Sequence, residues 1–265
     1  MHLPFHQIAI DIWLLLALSR SISTAKDCLK KIALRTEGLR FFENSIYGHH
    51  AVLEDFLDDI IELAASFVRT TVGTKYSERL RLLGIRIYQW LFDEMADARC
   101  RHELIHSVIA HCGAGEAAKE EVDAAFKCLT LLVDTKEGAV SLAPFSGYVR
   151  SLLNELERFD LDHVRSLFKT VSKLALVDGE GSDDLKILLR KLLSNSEQNR
   201  QALGIVGTIQ LVSCLSPYQE PNNNSSSKKK KCAEEETPKS DVKESISMID
   251  HMLRETCHPQ TSNMV

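Results

Sequence analysis

Apolar residues recur at intervals of three and four along almost the whole stretch from Ile8 to Leu215. That spacing sets them on one face of an α-helix. Val52, Phe56, Ile60, Leu63 and Phe67 form one stripe. Leu80, Leu83, Ile87, Trp90, Leu91 and Met95 form another, with Thr74 just ahead of it as a candidate N-cap. Leu104 to Ala110, Val122 to Val133, Val149 to Leu156, Val164 to Leu176, Leu185 to Leu193 and Ala202 to Leu215 repeat the pattern. Gly113, Gly138, Gly179 and Gly181 fall in the breaks, while Asp160, Asp162 and Ser182-Asp183-Asp184 make acidic helix starts suited to the helix dipole.

About ten such helices joined by short loops predict an all-α fold. Only 12 Gly and 6 Pro among 265 residues, with Leu, Ile, Ala, Glu and Lys prominent, agree with it. Each antiparallel helix pair leaves a second apolar face that only the next pair covers, so residues 1–216 are expected to form an α-solenoid of stacked antiparallel helix pairs. No tetratricopeptide or ankyrin period is present, and a closed bundle is the competing architecture.

At Pro217 the composition changes. Residues 217–240 hold an Asn run, a Ser run, Lys228-Lys229-Lys230-Lys231 and three glutamates, without apolar periodicity, and are expected to be a disordered linker. Val242, Ile246, Ile249, Met252 and Leu253 then resume helical spacing, so residues 241–265 read as a C-terminal helix that docks back, followed by a frayed end. Neither end carries the polar capping repeat of a complete solenoid, which suggests an internal fragment.

Seven scattered cysteines with no C-x-x-C pair favour reduced thiols inside the cell. A formal charge of −5 disfavours nonspecific nucleic-acid binding by the whole chain but leaves room for a local basic face. The apolar opening from Ile8 to Leu18 lacks a basic n-region, contains Asp11 and is too short to span a bilayer, so it reads as a buried helix and no membrane partner is expected.

The sharpest enzyme-like motif is His102-Glu103-Leu104-Ile105-His106, a literal H-E-x-x-H. On a helix it sets two imidazoles one turn apart beside a glutamate able to activate a zinc-bound water. Zinc requires a third protein ligand, and the nearest candidates, His111 and Glu116, fit no zincin continuation. The plainer reading is a solvated face with Leu104 and Ile105 packing inward, and no catalytic residue, metal or other cofactor is assigned. Gly113-Ala114-Gly115 reads as a helix stop, and Gly204-Ile205-Val206-Gly207 as a site of close helix packing. Lys228 to Lys231 are a candidate nuclear-import signal, with a solvated linker as the alternative.

The run Asp183-Asp184-Leu185-Lys186-Ile187-Leu188-Leu189-Arg190-Lys191-Leu192-Leu193-Ser194, followed without a gap by Leu203-Gly204-Ile205-Val206-Gly207, resembles the modification-site region of the Fanconi anaemia D-two protein family. Asn44 to Val52, His111 with the following Gly115, and Val164-Arg165-Ser166-Leu167-Phe168 resemble the same family, colinearly over nearly the whole chain. The resemblance implies an α-solenoid in a nuclear, noncatalytic scaffold for interstrand crosslink repair. It implies pairing with the Fanconi anaemia group I paralogue, a clamp around double-stranded DNA, and monoubiquitination by the pathway's ligase machinery. It makes Arg190, Lys191 and Arg200 candidate contacts for the paralogue or for DNA. The family's acceptor lysine lies three residues before the first Gly of the Gly-aliphatic-aliphatic-Gly segment, where this chain has Gln201. Either the acceptor has moved, or the modification is lost, or the local correspondence shifts. A zinc hydrolase built on His102, Glu103 and His106, and an armadillo-like adaptor sharing only the fold, are the alternatives.

Overall fold

The computed structural model describes residues 38–47, 49–70, 76–113, 117–178, 181–215 and 246–254, together with Ala17, Lys31, Leu34 and Arg35. The expectations for most of Ile8 to Leu18, for Thr74, for Glu116, for linker 217–240 with Lys228 to Lys231, and for Val242 lie outside the described residues; Ala17 is helical and exposed. All regular structure among the described residues is helical. The helices gather into two compact units, Met1–Glu155 and Leu156–Val265.

The first unit contains α1 (Gly38–Ile46), α2 (His50–Asp55), α3 (Leu57–Val68), α4 (Ser77–Glu94), α5 (Ala98–Gly113), α6 (Lys119–Leu132), α7 (Lys136–Leu142) and α8 (Ser146–Ser151). The centre is α4, which packs against α1, α3, α5 and α6. Its stripe is as expected: Leu80, Leu83, Ile87, Trp90, Leu91 and the following Met95 are all buried. The N-cap is Tyr76, which makes no side-chain capping bond.

Three local expectations change. The Val52 to Phe67 stripe is two helices, because Phe56 leaves helical geometry at φ −123° and ψ 18° and its N–H bonds to the carbonyl of Leu53. The Val149 to Leu156 segment leaves α-geometry after Ser151 and continues as a 3₁₀ segment, Leu152–Arg158, in which Glu155 is non-helical. Gly138 lies inside the first turn of α7, where its N–H donates to Thr135 Oγ1 at 3.0 Å. A Cβ at Gly138 would run into the carbonyl oxygen of Leu132, so the glycine answers a steric demand of the α6–α7 turn.

The second unit contains α9 (Leu161–Asp178), α10 (Gly181–Leu193) and α11 (Gln198–Leu215), all packed on one another, with a further helical run at 246–254. Val164, Leu167, Phe168, Val171, Leu174 and Ala175 of α9 are buried beneath Leu185, Leu189 and Leu193 of α10. Asp160 caps α9 by accepting the N–H of His163 at 3.1 Å. In the run at 246–254, Met248 is the buried residue, while Ile246, Ile249 and Leu253 are exposed. Of the stripe expected to dock, Met252 is half-buried and the other described members are exposed, so the covered side of this run centres on Met248.

Each unit is thus built from the packed helix pairs expected of an all-α solenoid. No described helix is long and apolar enough to cross a membrane.

Candidate functional site: the α10–α11 hairpin

Charge is ordered along α10. Asp183 and Asp184 occupy its first turn and Arg190 and Lys191 its last, each complementing the partial charge of that helix end. Arg190 and Lys191 are exposed, and their side chains enter no ion pair among the described residues. After Leu193 the chain turns through Asn195, whose side-chain oxygen accepts the N–H of Glu197 at 2.8 Å. The fourth residue of α11 is Gln201. Its carboxamide reaches back and donates to the Leu193 carbonyl at 3.3 Å, satisfying one of the carbonyls that a helix end leaves without a partner.

The glycines of the same hairpin explain how close its helices come. A Cβ at Gly204 would lie 2.9 Å from the backbone nitrogen of Leu193, and one at Gly207 would meet Leu189 Cδ2 and lie 2.9 Å from the Phe168 ring. Close helix packing, expected from Gly204-Ile205-Val206-Gly207, is what these two positions serve.

Arg200 is exposed like Arg190 and Lys191, but it is already ion-paired. Its guanidinium is ion-paired to Glu157 at 2.6 Å and to Glu197 at 3.2 Å, fastening the start of α11 to the 3₁₀ segment. These carboxylates, with Asp160 and Asp162, rim a cleft of about 680 Å³ floored by Leu156 and Leu203. Sequence reasoning did not find this cleft, because Glu157 and Arg200 are far apart in sequence and carry no joint spacing signal.

In the first unit the H-E-x-x-H motif lies on α5. His102 Nε2 shares a hydrogen bond with Tyr148 Oη at 2.9 Å, and its ring stacks on His106 at a centroid distance of 6.3 Å. Glu103 pairs with Arg99 at 3.6 Å, while Leu104 and Ile105 are buried as expected. Among the described residues, no group of three or more His, Cys, Asp or Glu side chains is placed to hold a metal ion.

The other imidazole weighed as a ligand, His111, faces the core and is 2% exposed. Its Nδ1 donates to Glu121 at 2.5 Å, and Glu121 also pairs with Arg69 at 3.4 Å. Burial holds the imidazole below its ordinary pKa, with Glu121 opposing the shift. A neutral ring bonded in this way accepts at Nε2 from the Tyr88 hydroxyl at 3.2 Å, and that oxygen accepts from Ser107 at 2.8 Å. Tyr88 itself is pushed well above the usual phenol range, chiefly by burial. The partners come from separate helices, so spacing within one helix could not have revealed them.

Comparison with known proteins places this chain in a family. The family model described as Fanconi anaemia protein FancD2 nuclease matches residues 6–256. The chain is 26% identical to the Fanconi anemia group D2 protein of Gallus gallus over 197 residues, 73% of this chain and 13% of that protein. It is 25% identical to the Fanconi anemia group D2 protein homolog of Mus musculus over 218 residues, 78% of this chain and 14% of that protein. A Rattus norvegicus homolog of the same name is 25% identical over 182 residues, 67% of this chain and 12% of that protein. The chain therefore spans about one-seventh of the length of these relatives, and with the family model covering most of its residues, it belongs to the Fanconi anaemia FancD2 family.

Proposed function

We propose that this chain is a noncatalytic segment of a nuclear scaffold in interstrand crosslink repair, pairing with the Fanconi anaemia group I paralogue on double-stranded DNA. A role in the Fanconi anaemia pathway follows from family membership. Pairing and DNA contact are the further step. The observation that carries them is the α10–α11 hairpin, the region that resembles the family's modification site, where Arg190 and Lys191 stand exposed on the last turn of α10. Exposed cations at a helix end suit either a phosphate or an acidic partner surface.

The family's description includes the word nuclease. Metal-assisted phosphodiester hydrolysis uses converging carboxylates around one or two cations. We assign no residue of this chain to that chemistry, nor to the zinc hydrolysis suggested by His102, Glu103 and His106.

With Gln201 at the position of the acceptor lysine, the hairpin offers no amine there. The nearest lysine in sequence, Lys191, is on the preceding helix. A ligase must align one amine with the ubiquitin thioester, and displacement of a nucleophile by about 1 Å can cost on the order of a hundredfold in rate. This hairpin is accordingly proposed as a contact surface that is not itself modified.

Copurification with the group I paralogue, with and without duplex DNA, is the test. Retention by the paralogue that falls for Arg190→Glu/Lys191→Glu supports the proposal. Failure of the wild-type protein to be retained under either condition overturns it.

A further inference from the structure

The cleft at the start of α11 has an apolar floor and an acidic rim. Leu156 and Leu203 are buried at its base, whereas Leu161 on its wall is 53% exposed. Its volume, about 680 Å³, is within the range of sites that hold a ligand or a few side chains. Four carboxylates, Glu157, Asp160, Asp162 and Glu197, line it against one guanidinium, Arg200. Each carboxylate is already engaged locally, since Glu157 and Glu197 share Arg200, Asp160 caps α9, and Asp162 pairs with Arg165 at 2.7 Å. Two cations, Arg200 shared by Glu157 and Glu197 and Arg165 paired with Asp162, stand against four carboxylates and leave the cleft net negative, so an occupant should be basic and carry aliphatic length, as lysine side chains do.

We propose that the cleft is occupied by the chain's own lysine run, Lys228 to Lys231. Charge complementarity is the first ground. The second is reach. From Arg200 to Leu215 the chain rises about 22 Å along α11. Thirteen residues then lead from Leu215 to Lys228, a tether able to stretch to about 43 Å. A random-coil tether of that length has a root-mean-square span of about 20 Å. A tether whose mean span matches the distance to be bridged gives an effective concentration in the millimolar range, so even weak electrostatic docking is populated. Docking would cover Asn199 and Arg200, next to Gln201, and would hold the lysine run away from other partners. This proposal is independent of pairing with the paralogue.

Zero-length carbodiimide cross-linking of the full 265-residue chain, mapped by mass spectrometry, tests it directly. The expected products join Lys228 to Lys231 with Glu157, Asp162 or Glu197, do not depend on protein concentration, and disappear in about 0.5 M salt, where screening is strong. Cross-links that fall only on other carboxylates, or that join two isotopically distinguished copies, overturn occupation by the same chain. A second measurement is the rate of tryptic cleavage within the lysine run, taken relative to a free peptide of residues 216–245 at each salt concentration. The Glu157→Gln/Asp162→Asn/Glu197→Gln variant should be cut about two- to threefold faster than wild type, as expected if docking protects roughly half or more of the molecules. Equal rates in a variant with unchanged helical circular dichroism overturn the proposal; if that variant fails to fold, the wild-type cross-links decide.

Discussion

The Gln201 carboxamide donates to the main-chain oxygen of Leu193, tying the first turn of α11 to the last residue of α10. The side chain at the position of the family's acceptor lysine is therefore half-buried in the hairpin and engaged. Gln201→Ala removes one hydrogen bond and should cost about 0.5–1.5 kcal/mol. Gln201→Lys retains a donor of similar reach and should remain within about 0.5 kcal/mol of wild type. Urea denaturation distinguishes the two. In a reconstituted reaction with ligase, paralogue and DNA, the wild type should stay unmodified in this region and Gln201→Lys should accept ubiquitin. Efficient wild-type modification at Lys191 would refute the positional requirement.

A Cβ at Gly207 would meet Leu189 Cδ2 and the Phe168 ring at closer than ordinary contact distance. Gly207→Ala should destabilise by about 1–3 kcal/mol, since the methyl group overpacks a filled seam. Gly147, in α8, has open space where a Cβ would go. Gly147→Ala should be stabilising by up to about 1 kcal/mol, through helix propensity alone. Similar thermal shifts for the two variants would mean that the α9–α11 seam is looser than described.

Stability should fall as pH drops below about 6.5, the ordinary value for histidine, because burial lowers the pKa of His111 in the folded state. Below that pH the unfolded chain binds the proton more readily, so the contribution of His111 is complete above 6.5 and is lost toward the lowered folded value. Glu121 opposes the shift, Arg69 adds to it, and the Tyr88 hydroxyl stays un-ionised throughout this range. His111→Gln should flatten the profile in this window, measured as the difference from wild type so that the other histidines cancel. An unchanged slope would remove His111 as the cause.

Dialysed protein should retain no stoichiometric zinc by elemental analysis. His102 Nε2 is already bonded to Tyr148, and His111 lies in the core. One equivalent of zinc, lost in His102→Ala, would reinstate the hydrolase.

A reporter carrying residues 216–245 should accumulate in the nucleus, and replacement of Lys228 to Lys231 by alanine should abolish the accumulation. An unchanged distribution would leave the run as a charged tether.

Helix identity was legible in the sequence because the apolar stripe of α4 and the acidic starts of α9 and α10 are local patterns, read within a few turns of one chain segment. The same locality explains what could not be read. Whether a stripe bends at Phe56, whether Gly138 stops a helix or admits the Leu132 carbonyl, and which face of the run at 246–254 is covered depend on neighbours that meet only after folding. Family resemblance singled out Gln201, but its bond to Leu193 belongs to the turn between two helices. The His111–Glu121–Tyr88 chain and the cleft beside Arg200 join side chains with no fixed spacing in sequence. Periodicity determined which residues share a helix face, while tertiary packing alone decided which faces are covered and which polar groups find one another there.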